Sequence, residues 1–215
     1  MRYAKALITD GIVRGLLGPR EAGRVWDRHL LNSAVLAELI PDGSTVIDVG
    51  SGAGLPGIPL AIVRPACRLI LLEPLARRCV FLEETVDALG LGERVTVLRG
   101  RAPDIANVGG LPFFADYAIA RAVAPLERLV SWTMPLVRSD GQLLAMRGER
   151  VEQELREAGS GIGRHGGGVP EVVELGERLL GTPVRVVRIP KGQPGQQVQR
   201  KGESRARGKR SRISG

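Results

Sequence analysis

From Ser44 onward the chain alternates short apolar runs with stretches of helical periodicity. Thr45–Val49, Arg68–Glu73, Arg94–Arg99, Tyr117–Ala120 and Gln142–Met146 read as buried strands. Their near-continuous apolar character fits strands covered on both faces. Ile58–Val63, Arg77–Leu89, Leu126–Leu136 and Val151–Ala158 read as helices. Strands alternating with helices predict a parallel sheet with right-handed crossovers. Pro170–Leu175 and Val184–Ile189 read as two more strands with no crossover helix between them, which suits a closing antiparallel hairpin. Before Ser44 the pattern is helical. Arg20–Ile40 places Val25, Trp26, His29, Leu30, Ser33 and Ala37 near one face, and Pro41-Asp42-Gly43 ends the helix.

Three parts follow: a helical cap (1–43), an α/β domain (44–190) and a tail (191–215). The expected fold class is a Rossmann-like, seven-stranded, mostly parallel sheet with helices on both faces. Gly159–Gly168 holds six glycines and reads as a mobile loop.

Charge changes the picture only at the end of the chain. The net charge is +8, but residues 191–215 hold eight Lys or Arg against one acid, Glu203, so the body is nearly neutral. With few apolar residues, that tail is expected to be disordered. Aromatics are 3% of the chain, which argues against an RNA surface built on rows of stacking rings. Cys67 and Cys79 lack metal-ligand spacing, and with only two histidines no metal site is expected. No apolar run is long enough for a membrane span, and the first residues lack a secretory pattern. A cytoplasmic monomer is expected.

The chemistry concentrates in Val46-Ile47-Asp48-Val49-Gly50-Ser51-Gly52-Ala53-Gly54-Leu55-Pro56-Gly57. A strand runs into a glycine turn, and a helix begins soon after. Glycines let the backbone turn sharply and approach a ligand closely. Glu73 ends the next strand, 19 residues after Gly54, where such folds place a carboxylate for ribose hydroxyls. A dinucleotide fold would show G-x-G-x-x-G with its helix aimed at a pyrophosphate. Here the spacing is G-x-G-x-G and Asp48 precedes it. An acid there repels pyrophosphate and suits the ammonium of S-adenosylmethionine, directly or through water. The motif defines a cofactor class and leaves the substrate open.

Several further segments stand in order: Val25-Trp26-Asp27-Arg28-His29-Leu30-Leu31-Asn32-Ser33, Asp48–Pro59, Leu71–Arg78, Arg99–Ala102, Ala120-Arg121-Ala122-Val123-Ala124 and Leu144–Gly148. Together they resemble the small-subunit ribosomal RNA methyltransferase G family (glucose-inhibited division protein B) in its actinobacterial form. The resemblance implies a class I methyltransferase that uses S-adenosylmethionine to methylate N7 of one guanosine in 16S ribosomal RNA, with the small subunit or an assembly intermediate as partner. It implies that Gly50 and Leu55 lie on the cofactor turn, Ala102 and Pro103 against the adenine, and Arg121 at the cofactor or target site. The chain departs from the family at Pro103, where an acid is usual, at Arg147, where Lys is usual, and at Asn32, often Asp. Pro103 also lacks an N–H that the adenine would use. Met1 stands where members already have a preceding helical segment.

The candidate cofactor residues are thus Asp48, Gly50, Gly52, Gly54, Leu55, Glu73, Ala102, Pro103 and Arg121. Arg121, Arg147 and His29 are the candidate catalytic residues. Both arginines should sit at the carboxyl ends of strands, where ligands bind in such sheets. Each either grips a phosphate or guanine O6 or pairs with a carboxylate at the edge of the core. His29 is a substrate contact or a packing group, and Arg28 a phosphate contact or a solvated charge. Guanine N7 carries a free lone pair, so no general base is needed. Two other readings remain: a methyltransferase of another RNA, a small molecule or a protein, and a non-catalytic RNA-binding factor with a vestigial pocket.

Overall fold

The computed structural model of this protein describes residues 1–108 and 114–192. Helix α1 (Arg2–Ala6) continues into a π-helical turn at Leu7–Gly11. A 3-10 turn (Pro19–Arg24), a π-helical segment (Val25–Leu31), α2 (Asn32–Ala34) and a second 3-10 turn (Val35–Leu39) follow. The expected single helix from Arg20 to Ile40 is therefore divided into four segments with three kinds of winding. A π segment closes i→i+5 bonds and rotates its faces relative to an α-helix. Val25, His29, Leu30 and Ser33 are buried as expected, but Trp26 turns out and is 46% exposed.

The remaining elements are β1 (Thr45–Val49), α3 (Gly57–Val63), β2 (Arg68–Glu73), α4 (Ala76–Leu89), β3 (Val95–Arg99), α5 (Ala102–Val108), β4 (Ala115–Arg121), α6 (Leu126–Thr133), β5 (Val137–Arg147), α7 (Val151–Ala158), α8 (Gly161–Arg164), β6 (Glu171–Leu175) and β7 (Val184–Pro190). They form one seven-stranded sheet in the order β3-β2-β1-β4-β5-β7-β6. β7 runs antiparallel to both β5 and β6, and the inner pairs β1 to β5 are parallel. The mostly parallel α/β sheet and its closing hairpin are as expected. α6 tightens into a 3-10 turn at Met134–Leu136, where Pro135 removes an amide donor.

Each face of the sheet has its own core. One joins Val46, Leu69 and Leu71 to Ile58, Leu60, Phe81 and Leu82, and reaches Tyr3, Leu7 and Val25 of the cap. The other joins Ile47, Val49, Ile70 and Leu72 to Leu126, Leu129, Val130, Val151 and Ile162. The cap therefore completes one face of the sheet. The expected mobile loop at Gly159–Gly168 is instead built into the body. A Cβ on Gly161 would collide with Glu127, and one on Gly167 would lie 2.7 Å from Ile162 Cγ2. These glycines serve close packing rather than mobility. Lys191 also belongs to the body: its N–H donates to the Gly141 carbonyl at 2.9 Å. The remaining tail, 193–215, for which disorder is expected, lies outside the described residues.

Candidate functional site

Strand order reverses between β1 and β4, and ligands bind such sheets at the carboxyl ends beside the reversal. There the chain encloses a cavity of about 820 Å³. That size suits a ligand larger than a single nucleoside. The cavity is lined by the Gly50–Ala53 turn, Leu55, Glu73, Pro74, Leu75, Ala102, Pro103, Arg121, His29 and Trp132. It therefore gathers candidates drawn from the cap, β1, β2, α5 and β4.

The turn exists because Gly50, Gly52 and Gly54 all hold positive φ, at 75°, 58° and 90°. L-residues rarely adopt these values. Glu73 fastens the turn from the side. Its Oε2 accepts from Gly52 N–H at 3.0 Å, and its Oε1 accepts from Leu75 N–H at 3.0 Å. Arg78 Nη1 stands 3.7 Å from the same carboxylate. Each carboxylate oxygen has a second lone pair, so both can still accept a hydroxyl from the cavity. Leu72, Leu75, Ala102 and Pro103 add an apolar slot beside that carboxylate. A buried acid, a glycine-rich turn and apolar side chains beside them fit the polar and aromatic halves of S-adenosylmethionine.

Asp48 lies beneath the turn and does not line the cavity. It is completely buried, and its Oδ2 accepts from Gly57 N–H at 3.0 Å. It therefore holds the start of α3 against the end of β1. Oδ1 has no hydrogen-bond partner among the described residues. Burial pushes the carboxyl up to about 7; the bond from Gly57 and the neighbouring Ser51 hydroxyl oppose this, and the Glu73 charge adds to it. Gly54 is likewise off the cavity and packs against Ile58 and Tyr3.

Arg121 ends β4 and lines the cavity as expected. The next residue, Ala122, takes φ 50°, so the chain turns sharply at the cavity wall. Nη2 of Arg121 is 2.9 Å from His29 Nδ1 and 3.4 Å from the Arg28 carbonyl. Nη1 has no protein partner among the described residues. The pKa of Arg121 is lowered, first by burial and then by the Arg28 charge. His29 is buried on the cavity wall, with Nε2 2.7 Å from Glu21 Oε2.

Arg147 is brought to a different place. It ends β5, but its guanidinium is covered by α7, with Nε 3.4 Å from Glu154 Oε2 and only 5% of the side chain exposed. It does not line the cavity, which corrects the expectation of a target-side arginine. α7 begins four residues later, and its first turn carries Glu154 over the strand end. The geometry is that of a carboxylate partner at the edge of the core.

Two participants escape a sequence reading. Tyr3 is buried, and its hydroxyl donates to the Ala53 carbonyl at 2.7 Å, tying the cap to the glycine turn. Glu21 backs His29. Tyr3 is 50 residues from its partner, and the separation of eight residues between Glu21 and His29 exceeds the three or four that bring helical side chains together.

A seven-stranded sheet of this order, with a glycine turn and an acid ending the next strand, defines a class I methyltransferase. Solved structures agree on the fold. M. jannaschii TYW2 in complex with AdoMet superposes with TM-score 0.59 at 18% identity, over 78% of each chain. Precorrin-6y C5,15-methyltransferase from Geobacter metallireducens gives 0.55 at 18% identity, over 82% of this chain and 90% of that one. The profile of the family described as rRNA small subunit methyltransferase G matches residues 1–179. A ribosomal RNA small subunit methyltransferase G from Frankia casuarinae is 54% identical, over 87% of this chain and 70% of its own length. One from Salinispora tropica is 50% identical, over 98% and 88%. The chain belongs to the rRNA small subunit methyltransferase G family.

Proposed function

We propose that this protein methylates N7 of a guanosine in 16S ribosomal RNA of the small ribosomal subunit, and that it works in the cytoplasm. Support comes from family membership together with one observation: a cavity lined by the acid that ends β2 and by a half-buried arginine whose Nη1 has no protein partner among the described residues.

S-adenosylmethionine supplies an electrophilic methyl group on a sulfonium. Glu73 would accept hydrogen bonds from the ribose hydroxyls, the Gly50–Ala53 turn would hold the amino-acid end, and Ala102 and Pro103 would lie against the adenine face. The guanine N7 lone pair forms the new C–N bond while the C–S bond breaks, and no proton leaves. Positioning is the main requirement, and it can lower a barrier by several kcal/mol.

Arg121 has the right properties to position the target. Its Nη2 is held by His29, and its buried Nη1 has no protein partner among the described residues and keeps its donors for guanine O6 or a phosphate. His29 acts through Arg121. Asp48 serves beneath the turn, through Gly57, and reaches the ammonium only through intervening groups or water. The test is incubation with labelled S-adenosylmethionine and unmodified small subunits, followed by mapping of the methylated nucleotide. Label in 16S RNA at a guanine N7 is expected.

A further inference from the structure

Arg121 carries donors only, because a guanidinium has no lone pair to offer. His29 Nδ1 lies 2.9 Å from its Nη2, so Nδ1 must be the acceptor. The neutral ring then carries its proton on Nε2. Nε2 lies 2.7 Å from Glu21 Oε2 and donates that proton to it. The ring side chain is 9% exposed, so water has little access to replace either partner. The three groups come from the 3-10 turn at Pro19–Arg24, the π segment at Val25–Leu31 and the end of β4. Reversing the tautomer would turn an N–H toward the guanidinium and a lone pair toward the carboxylate, and both contacts would become repulsive.

We propose that Glu21 is a positioning residue for methyl transfer: it fixes the Nε2–H tautomer of His29, and the ring in turn fixes the guanidinium of Arg121 on the cavity wall. This rests on the reading of Arg121 as a target-side group. The relay runs in one direction, carboxylate to ring to guanidinium, and leaves Nη1 as the end without a protein partner among the described residues. It also gives the helical cap a part in the chemistry, since Glu21 and His29 both belong to it.

The charged groups facing the ring are Glu21, Arg121 and Arg28, with Arg24 acting on Glu21. Burial is the largest influence on His29 and lowers its pKa below the ordinary 6.5; Glu21 opposes this, while Arg121 and Arg28 add to it. The ring is therefore neutral at pH 7. Falling pH puts a proton on Nδ1 and breaks the contact with Arg121. Removing the Glu21 charge removes a group that favours the protonated ring, so the acid limb of the rate must move to lower pH.

The experiment uses the full chain and compares Glu21→Ala and Glu21→Gln with the wild type. Proton–nitrogen correlation on labelled histidine reads the tautomer directly, with His165 as the only other histidine. Wild type should show Nε2–H at His29, and Glu21→Ala should lose that preference. Single-turnover methylation of small subunits by Glu21→Ala should fall about tenfold or more as alignment is relaxed. Glu21→Gln keeps an oxygen acceptor. It should stay within about threefold of wild type at pH 8, while its acid limb shifts down by roughly half a pH unit or more. A merely structural Glu21 would leave that limb in place. An Nδ1–H tautomer in the wild type, or an unmoved acid limb with full activity in Glu21→Ala, would overturn the proposal. Should the wild type methylate no ribosomal RNA, the reading of the substrate fails, and the tautomer comparison still decides the relay.

Discussion

Glu73 Oε2 accepts a hydrogen bond from Gly52 N–H at 3.0 Å, so the acid that ends β2 also holds the glycine turn that follows β1. One carboxylate thus holds the turn, and on the proposed reading it also receives the ribose.

Replacing Glu73 by Ala removes both functions. S-adenosylmethionine binding should weaken by about 1–3 kcal/mol, the range for a hydrogen-bonded charged group. Calorimetry checks this, and unchanged affinity would take Glu73 out of the ribose site. NAD should not bind either protein.

Arg121→Ala should reduce methylation by about a hundredfold, the scale expected when a reacting group is misaligned. Its circular dichroism and melting should remain close to wild type, because Arg121 is partly exposed at a strand end. Arg121→Lys should recover only part of the rate. An ammonium cannot hold His29 and a planar target edge together. Near-normal turnover in Arg121→Ala would leave Arg121 as a partner of His29 and nothing more.

Much of the fold is legible in the sequence because buried parallel strands leave an unmistakable apolar record. Val46-Ile47-Asp48-Val49 and Leu69-Ile70-Leu71-Leu72 could hardly be anything else, and the turn between sheet and α3 needs glycine at three positive φ values. The cap is less legible. An α-helical face drawn from Arg20 places Trp26 inside, but the π segment shifts the buried side to Val25, His29 and Leu30. Arg147 is hard to place because its partner Glu154 lies on the next helix, and strand-end position alone does not say whether that helix covers it. The Glu21–His29–Arg121 relay spans the cap and β4, with a separation of 92 residues between His29 and Arg121, so only folding brings it together.

Asp48 makes a pH signature. Its carboxyl is near 7 in the folded chain and 3.8 as an ordinary aspartate, chiefly through burial. A raised acid contributes stability that is full below the unfolded value and is lost as pH rises through the folded one. Wild type should therefore lose stability relative to Asp48→Asn between about pH 4 and pH 7. Melting curves of the two proteins check this. A relative shift of roughly 2 °C or more is expected for a chain this size if the difference reaches about 1 kcal/mol. Parallel curves would mean that Asp48 is ionised in the fold at neutral pH.

Truncation after Gly192 leaves the body intact, because Lys191 and Gly192 still make their backbone bonds to Gly141 and Gly166. The seven Lys and Arg removed with residues 193–215 should contribute to RNA affinity through counterion release. Every phosphate that the tail no longer neutralises should flatten the salt dependence by about 0.7–0.9 log units per log salt. A salt titration of both forms checks it, with equal slopes contradicting it. The methylated position should not change, since the removed segment has no aromatic side chain to read a base.

The most direct measurement is the chemical position of the transferred methyl. Small subunits lacking the modification are incubated with the protein and labelled S-adenosylmethionine. The 16S RNA is then reduced and treated with aniline, which cleaves the chain at N7-methylguanosine. One cleavage at a single guanosine, coincident with the label and abolished by Arg121→Ala, is the predicted result. Label that resists this cleavage, or that appears in protein or in no RNA at all, would contradict methyl transfer to guanine N7.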